Sequence, residues 1–533
     1  MLYVALSSAL AAAVQPHIFM VIVDDFGWAE TSYHREPSDP EISTPTIDSL
    51  VRQGVELNRH YVHMMCTPSR ASFYSGRLPV HVLTQLADPC DKNGAVPRNM
   101  TGIAQVLKRG GYATHQVGKW DAGMVTPTHT PKGRGYDTSL NYFSHGNWMW
   151  TESEWLGSYD HRSDIPSASE TQIVDLWNTD EPASSLNGTK YEEDIFRDRM
   201  LSILHAHDQS SPLFLTYASK LCHYPMQAPE AYQELPRVKA ITQPNRRVYH
   251  AMVAFLDEQL RNITETMQQL GMWENTLMVL TSDNGGYVQQ EKGGCNSSGY
   301  GGAASSDVGH GTACENGEAG ANNFPLRGGK YSNFEGGIRV NAFVSGGFVP
   351  LAVRGVKLEQ SIHIVDWYAT FAGLAGVDPT DHFAAASGLP PIDSLDVWPL
   401  VSGASAISPR QTAGHLVTKE LLVLGEYKYA LPLTEMSASE RGGPTYPNAS
   451  TASDAIGSHT FTCPRTGCLY NVATDISEFH EISAQFPDVV KNMRAEIAKR
   501  AATIWSTDHS NDPACKVAAV EKWGGFYGPW KEV

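Results

Sequence analysis

Three stretches of the chain, residues 17–23, 213–218 and 277–282, are mostly apolar without alternation, and polar residues follow each of them. A short run of this kind predicts a strand that is buried on both faces. Helix-like segments at 101–109 and 247–270 lie between these runs and give the β-α alternation of a parallel sheet. The pattern therefore predicts an α/β fold whose strands deliver polar side chains to one edge, where ligands of such sheets gather.

Two later regions depart from this alternation. Residues 291–323 are dominated by Gly, Ser, Ala and Asn, which predicts a long surface loop beside the polar edge or, alternatively, a disordered insertion. After about residue 403, strand-like segments at 421–431 and 467–472 are combined with an amphipathic helix at 487–505. We therefore predict a main domain over 17–403 and a smaller C-terminal α+β subdomain with a short antiparallel sheet over 404–533.

The N-terminal residues 2–14 are apolar, rich in alanine and uncharged, and this run is too short to span a bilayer. A small-residue pattern at 11–13 predicts a signal peptide over residues 1–16, although the run could also be an apolar lead-in to the first strand. No later stretch of about 18 uninterrupted apolar residues occurs, so we predict no membrane span. We expect a secreted protein or one of the lysosomal or endomembrane lumen.

The overall charge limits the partners of the protein. The 533 residues include 40 Lys and Arg and 57 Asp and Glu, for a formal net charge of −17. Such a surplus repels nucleic acids and anionic membranes, so we expect no nucleic-acid partner. An anionic substrate would have to be held by a local cluster of cationic side chains.

Cysteines and glycosylation triplets agree with secretion. The eight cysteines are at positions 66, 90, 222, 295, 314, 463, 468 and 515. Possible pairs are Cys90 with Cys515, Cys295 with Cys314, and Cys463 with Cys468, although the sequence leaves the connectivity open. If Cys66 is modified, one of the remaining seven stays unpaired. Asn-x-Ser/Thr triplets begin at Asn99, Asn187, Asn262, Asn296 and Asn448.

Oxygen donors follow two of the apolar runs. Asp24 and Asp25 follow residues 17–23, and Asp283 and Asn284 follow residues 277–282. An Asp-Asp pair alone is usually a turn or a helix cap, but here two strands each end in such a cluster. Carboxylate and amide oxygens favour Ca²⁺ or Mg²⁺ over zinc. The sequence therefore predicts a site for one divalent cation, Ca²⁺ in our interpretation, with Mg²⁺ as the alternative.

The most specific motif is CTPSR at 66–70, followed by GR at 76–77. It resembles the signature of the sulfatase family, in which the cysteine is oxidised to formylglycine by a formylglycine-generating enzyme. The hydrated aldehyde offers two hydroxyls, one to attack sulfur and one whose collapse releases the sulfate. An unmodified cysteine would be only a reactive or buried thiol.

The resemblance extends over most of the chain and is nearest to the arylsulfatase B, or N-acetylgalactosamine-4-sulfatase, branch. Further matching motifs are VDDFGW at 23–28, VGKWDAG at 117–123, KLCHYPMQAP at 220–229, SDNGG at 282–286, PLRGGKYSNFEGGIRV at 325–340 and GCLYNVATDISEFHE at 467–481. The resemblance implies an alkaline-phosphatase-like fold, with a large and mostly parallel sheet sandwiched by helices and residues 17–403 as the catalytic domain.

The resemblance also implies a role for each matching residue. The metal ligands would be Asp24, Asp25, Asp283 and Asn284, with the modified Cys66 completing the shell. Arg70 would hold the hydrated formylglycine, and Lys119, His223 and Lys330 would bind the sulfate oxygens. Either His223 or Lys330 would protonate the leaving alcohol. The substrate would be a sulfated carbohydrate or an aryl sulfate ester, with N-acetylgalactosamine 4-sulfate as one candidate sugar.

The sequence departs from the family pattern at position 121. The family usually has a histidine two residues after the lysine of the VGKW motif, where this chain has Asp121. That histidine is the expected base or hydrogen-bond partner of the second hydroxyl, and a carboxylate adds negative charge beside an anionic ester. Three interpretations remain open: Asp121 is a working substitute, a nearby histidine such as His115 or His145 takes the role, or turnover is impaired.

Other functions fit parts of the pattern. A phosphomonoester or phosphodiester hydrolase of the same fold would handle a similar tetrahedral anion, although the CTPSR motif argues against it. A protein that binds sulfated glycans without hydrolysing them would keep the cationic groups, and a metal-stabilised scaffold would leave those groups unexplained. The aromatic side chains of Trp148, Trp150 and Trp155 could stack against sugars, although such clusters are more often core packing.

Overall fold

The structure is a computed structural model that describes residues 15–35, 39, 41–150, 173–242, 244–288, 320–439 and 458–532. Several predictions fall outside these ranges: nearly all of the signal peptide, most of the glycine-rich loop, the pair Cys295 with Cys314, Trp155, Asn296 and Asn448.

Within the described residues, the main sheet has ten strands. They are β1 (His17–Val23), β2 (Val55–Tyr61), β3 (Ala113–Lys119), β4 (Thr138–Tyr142), β5 (Trp177–Asn178), β6 (Glu181–Pro182), β7 (Leu213–Ser219), β8 (Thr276–Ser282), β9 (Ala342–Ser345) and β10 (Val356–His363). Their order is β10-β2-β9-β8-β1-β7-β3-β4-β5-β6. The strands β8, β1, β7, β3 and β4 run parallel, whereas β9 is antiparallel to both of its neighbours.

The three apolar runs are confirmed as strands β1, β7 and β8, which are adjacent at the centre of the sheet. Every residue of β1 is buried. Ile18, Met20 and Ile22 pack into the core on one face of the sheet, and the alternate residues pack into the core on the other. A central strand covered on both faces needs apolar residues at every position, which explains the absence of alternation in these runs.

Helices cover both faces of the sheet. In chain order they are α1 (Pro45–Arg52), α2 (Cys66–Ser75), α3 (Ile103–Arg109), α4 (Glu192–Ala206), α5 (Glu230–Gln233), α6 (Pro236–Lys239), α7 (Pro244–Gln269), α8 (Glu335–Ile338), α9 (Asp366–Leu374), α10 (His382–Ala386), α11 (Trp398–Val401), α12 (Pro409–Ala413), α13 (Pro487–Ala501) and α14 (Ala514–Glu521). Helices α2, α3 and α9 share one core, and α1, α4 and α7 share the other. The predicted helices at 101–109 and 247–270 correspond to α3 and α7.

The C-terminal region forms a second, antiparallel sheet. Its strands are β11 (His415–Thr418), β12 (Leu421–Leu424), β13 (Tyr427–Ala430) and β16 (Cys468–Asn471), and β14 (Glu435–Ser439) pairs with β15 (Ser458–Thr462). The single strand predicted at 421–431 is wrong, because Gly425 adopts a φ of 62° and turns the chain into a hairpin. Helix α13 ends at Ala501, earlier than the predicted residue 505.

Two of the three possible disulfides are present in the described part of the chain. Cys90 is bonded to Cys515, and Cys463 to Cys468. The first bond joins positions separated by 425 residues, so it ties the C-terminal segment to the main domain. Cys66 and Cys222 are buried and not disulfide-bonded. Among the described residues, no helix is long and apolar enough to cross a membrane.

Gly285, directly after the polar end of β8, lies too close to another backbone for any side chain. A Cβ atom there would come within 1.7 Å of the Gly336 carbonyl oxygen. We expect Gly285→Ala to lower the free energy of unfolding by about 3 kcal/mol or more, because one backbone must move. Gly373 is a matched control, since a Cβ there meets nothing closer than 3.5 Å and the site is inside α9. Urea unfolding should leave Gly373→Ala unchanged or stabilised, and equal losses for both variants would contradict the expectation.

Candidate active site

The polar residues predicted at the strand ends meet at the carboxyl edge of the main sheet. Asp24 and Asp25 follow β1, Asp283 and Asn284 follow β8, and Lys119 ends β3. Their side chains are almost completely buried. Asp25 adopts a φ of 52°, in the left-handed region that aspartate tolerates better than most residues. The turn brings its amide within 3.4 Å of the Asp283 Oδ1 atom, so the two strand ends contact each other directly.

Two buried oxygen atoms of this cluster have no hydrogen-bond donor among the described residues. They are the Asp24 Oδ1 atom and the Asn284 Oδ1 atom. The Asn284 side chain is oriented by its amide, which donates to Asp25 Oδ1 at 2.7 Å. A buried acceptor without a donor is costly, and a bound cation would satisfy it. The donor set is all oxygen, so these residues fit a hard divalent cation such as Ca²⁺ or Mg²⁺.

Cationic side chains surround the carboxylates. Arg70 places its Nε atom 2.8 Å from the Asp283 Oδ2 atom, and the Lys119 Nζ atom lies 2.7 Å from the Asp24 Oδ2 atom. The Lys330 Nζ atom lies 2.7 Å from the Asp25 Oδ1 atom. These three side chains are 4% exposed or less. The buried cluster therefore contains cationic side chains that can contact an anionic ligand, each placed here beside a carboxylate.

His223 approaches the same carboxylates from the segment after β7. Its Nε2 atom lies 3.9 Å from the Asp25 Oδ2 atom. Its Nδ1 atom lies 2.5 Å from the Tyr224 carbonyl oxygen, which can only accept a hydrogen bond. The Nδ1 atom therefore carries the proton, and the Nε2 atom is the one directed toward Asp25.

Cys66 is the first residue of helix α2 and is 1% exposed. Four residues later, Arg70 lies on the same side of the helix and reaches the carboxylates, so one helical turn joins the cysteine to the polar cluster. The positive end of the helix dipole lies at residue 66. Lys119, Lys330 and His145 also lie close to this residue.

Asp121 lies beside both Cys66 and a histidine. The Thr67 hydroxyl donates to both oxygens of Asp121, at 3.0 and 3.1 Å. The His145 Nδ1 atom lies 3.1 Å from the Asp121 Oδ1 atom. The Cys66 Sγ atom, an Asp121 carboxylate oxygen and a His145 ring nitrogen all lie within 4.8 Å of one another. Cys66, Asp121 and His145 therefore form one contiguous group.

Because many charged side chains are buried together, some pKa values in the site are raised and others are lowered. Burial, together with the charge of Asp24, raises the pKa of Asp283 to about 7 against the effect of Arg70. Burial acts in the same direction on Asp24, but Lys119, His223 and Arg70 outweigh it and hold its pKa well below its usual range. Burial alone would lower the pKa of His145, but Asp121 and Cys66 raise it to about 10.

The structure brings all ten sequence-predicted site residues into this one cluster: Asp24, Asp25, Cys66, Arg70, Lys119, Asp121, His223, Asp283, Asn284 and Lys330. The structure places the two histidines that were candidates for the role of the family histidine in different positions. His145 follows β4 and lies beside Asp121, whereas His115 lies near the start of β3 and pairs with Thr138.

Some residues of the site were missed by the sequence reasoning. The hydroxyl of Thr67 is inside the CTPSR motif, but nothing in the motif alone indicates that it binds Asp121. Tyr287 and Tyr331 were also missed, and both rings lie within 6 Å of the Lys330 ammonium. Of the tryptophans that could stack against sugars, Trp150 packs against Tyr191, with ring centroids 5.2 Å apart.

Comparison with known proteins gives consistent matches over the described sheet and site. A model of the family described as Sulfatase matches residues 16–377. Arylsulfatase J of Mus musculus is 29% identical over 98% of this chain and 81% of its own length. Arylsulfatase A of Homo sapiens is 26% identical over 77% of this chain and 72% of its own length. These relatives support the resemblance at the level of the family.

Solved structures show the same fold. Ps i-CgsB, crystallised in complex with k-i-k-neocarrahexaose, has a TM-score of 0.69 and 23% identity, covering 96% of this chain and 99% of its own. The PsFucS1 sulfatase from Pseudoalteromonas sp. has a TM-score of 0.66 and 21% identity, covering 93% and 92%. The predicted α/β fold with a smaller C-terminal antiparallel sheet is confirmed.

Proposed function

Because this chain belongs to the sulfatase family and is therefore an enzyme that hydrolyses sulfate esters, we propose that its substrates are sulfated sugars or polysaccharides. Residue 66, converted to formylglycine, is the nucleophile in this proposal. The supporting observation is the position of Cys66 at the start of α2, buried within one cluster of carboxylates and cationic side chains. A simple aryl sulfate ester would be an accepted small substrate.

The proposed cation site consists of Asp24, Asp25, Asp283 and Asn284, with residue 66 as an additional ligand. The support is the set of oxygen donors and the two buried oxygens, of Asp24 and Asn284, that lack a donor among the described residues. We assign Ca²⁺, with Mg²⁺ as the alternative. When bound, the cation would offset negative charge on the sulfate group and polarise the attacking hydroxyl.

The proposed chemistry at residue 66 depends on conversion by a formylglycine-generating enzyme. The converted residue supplies one hydroxyl to attack sulfur and a second whose deprotonation allows sulfate to leave. Arg70 orients residue 66 from the next helical turn. Lys119 and Lys330 bind sulfate oxygens, and His223 or Lys330 donates the proton that the departing alcohol needs.

Asp121 and His145 together take the role that the family assigns to one histidine. The Asp121 side chain is shorter than that of a histidine. Its Oδ1 atom lies 3.1 Å from His145 Nδ1, and a His145 ring nitrogen lies within 4.8 Å of Cys66 Sγ. His145 therefore acts on residue 66 in the role of the family histidine, and Asp121 positions His145. The pair also offsets the negative charge that Asp121 adds beside an anionic ester. This arrangement supports an active enzyme over an impaired one.

A substrate panel tests the proposed function. Protein co-produced with a formylglycine-generating enzyme is assayed for sulfate release from 4-nitrophenyl sulfate and from oligosaccharides of chondroitin 4-sulfate and carrageenan. Phosphate mono- and diesters are included as matched substrates. We expect sulfate release that requires conversion of residue 66. Faster phosphate release would favour the phosphoester alternative, and binding without turnover would favour a glycan-binding protein.

Removal of the cation is expected to destabilise the protein. At a Ca²⁺ concentration about 100-fold above Kd, binding stabilises the folded state by about 2.7 kcal/mol, so chelation should lower Tm and Ca²⁺ should restore it. Asn284→Ala removes one buried oxygen donor without changing the charge, and it should reduce the Ca²⁺-dependent rise in Tm. Asp208→Asn, at an exposed position before β7, should keep the full rise. A Tm that chelation does not change would contradict the cation site.

We propose that the protein is located in the secretory pathway or in the lysosomal or endomembrane lumen. The disulfides Cys90–Cys515 and Cys463–Cys468 support this, because such bonds persist mainly in oxidising compartments. A protein of this compartment would carry a signal peptide, here over residues 1–16, and would be glycosylated at the Asn-x-Ser/Thr triplets. Fusion of residues 1–16 to a reporter protein would test the signal directly by secretion of the reporter.

A further inference from the structure

We propose that Tyr331, supported by Tyr287, forms a platform on which the sugar ring next to the transferred sulfate stacks. This inference rests on the proposed sulfatase function and names the part of the substrate that the rim of the site recognises. The two tyrosines are not among the residues to which the resemblance assigns a role. Three independent features of Tyr331, its backbone, its exposure and its neighbours, lead to this assignment.

The backbone of Tyr331 adopts a conformation that its side chain disfavours. Its φ is 68°, in the left-handed region where a bulky non-glycine residue is an outlier. Its amide donates to the Met64 carbonyl oxygen at 2.9 Å, two residues before Cys66, which fixes this strained turn against the segment that leads into α2. Strained residues that persist in this way occur most often at ligand sites, so the unfavourable backbone indicates that the position of the ring matters.

The side chain of Tyr331 is exposed, although the residue before it is deeply buried. Tyr331 is 43% exposed, whereas Lys330 is 4% exposed and contacts Asp25. The Lys330 ammonium lies 5.6 Å from the centroid of the Tyr331 ring. A ligand that reaches Lys330 with its sulfate group therefore has this partly exposed ring beside it.

Two further tyrosines, partly buried Tyr287 and buried Tyr224, connect the Tyr331 ring to His223. The rings of Tyr331 and Tyr287 meet edge to face with centroids 5.8 Å apart, and those of Tyr287 and Tyr224 do so at 6.2 Å. Tyr224 directly follows His223 in the chain. The row of rings thus extends from Lys330 to His223, the two side chains proposed to bind sulfate oxygens and to protonate the leaving alcohol.

This surface fits a sugar ring. A pyranose has an apolar C–H face that packs against an aromatic ring, while its hydroxyls stay in contact with water. The phenol of tyrosine is likewise apolar on its face and polar at its tip, which suits a partly hydrated ligand. The cationic pocket binds the sulfate, and the tyrosine row would distinguish ring-bearing esters from inorganic sulfate.

The decisive variant is Tyr331→Gly, because glycine removes the ring and also adopts a φ of 68° without strain. We expect Tm to stay the same or rise, so lower affinity could not be attributed to misfolding. For a chondroitin 4-sulfate or carrageenan oligosaccharide that the wild-type protein hydrolyses, KM should rise about 10-fold with little change in kcat. Tyr331→Phe keeps the ring and should keep the wild-type KM.

Inhibition by inorganic sulfate separates the platform from the sulfate pocket. Inorganic sulfate reaches Lys119 and Lys330 but has no sugar ring, so its inhibition constant should be the same in Tyr331→Gly and in the wild type. An unchanged oligosaccharide KM in Tyr331→Gly would overturn the platform, and so would an equal loss of affinity for inorganic sulfate. A wild-type protein that releases no sulfate from any ester would instead contradict the proposed function, and the platform with it.

Discussion

Cys66→Ala is expected to reduce kcat for sulfate release by about 10⁴-fold to 10⁶-fold, the loss typical of removing a nucleophile from a preorganised site. The side chain is 1% exposed and lies close to Lys119, Lys330 and His145, and alanine at this position offers no atom that can attack sulfur. Cys66→Ser keeps an oxygen at this position but cannot supply the second hydroxyl. We expect it to be equally slow over many turnovers.

Cys222 provides the matched control for this prediction. Among the described residues, it is the second buried cysteine that forms no disulfide, and it is not assigned a role in the reaction. Cys222→Ala should retain most of the turnover, and all three variants should show similar melting temperatures. A Cys66→Ala protein that still releases sulfate at the wild-type rate would rule out residue 66 as the nucleophile.

His145→Asn is expected to lower kcat by about 10²-fold to 10³-fold, the range for loss of a positioned acid-base group. The structural reason is that His145, Asp121 and Cys66 lie within 4.8 Å of one another, while the position that a histidine occupies in the family is taken by Asp121. His115→Asn is the control, because that histidine lies near the start of β3 and pairs with Thr138. It should leave kcat unchanged.

A second substitution tests whether His145 compensates for Asp121. Asp121→His introduces the histidine at the family position, so adding it to His145→Asn should recover at least about a tenfold higher kcat. The mass of the residue-66 peptide must show equal conversion in all variants, which separates turnover from maturation. Full activity in His145→Asn, or no recovery in the double variant, would contradict the assignment.

The sequence predicted those parts of the site that local patterns determine. The runs before Asp24 and Asp283 are mostly apolar and do not alternate because β1 and β8 are buried on both faces. Parallel strands end at one edge of a sheet, so the polar residues after them had to meet there. The residues contributed by the CTPSR motif and the VGKW motif were placed by resemblance, and the structure brings them to the same edge.

Other features depend on contacts that no local pattern reveals. His145 reaches Asp121 because β4 lies next to β3 in the sheet. Neither segment alone predicts this strand order. The unusual φ of Tyr331 occurs where its amide contacts the Met64 carbonyl, far away in the sequence. The hairpin at Gly425 was missed because the residues on both sides of it favour strands, which made two strands look like one.

The central claim is that residue 66 acts as formylglycine in sulfate ester hydrolysis. The most direct measurement compares the rate of sulfate release with the fraction of residue 66 found as the aldehyde by peptide mass, across preparations made with different amounts of formylglycine-generating enzyme. We predict a rate proportional to that fraction, with no turnover when the residue is entirely a thiol. A rate that does not depend on the converted fraction would contradict the claim.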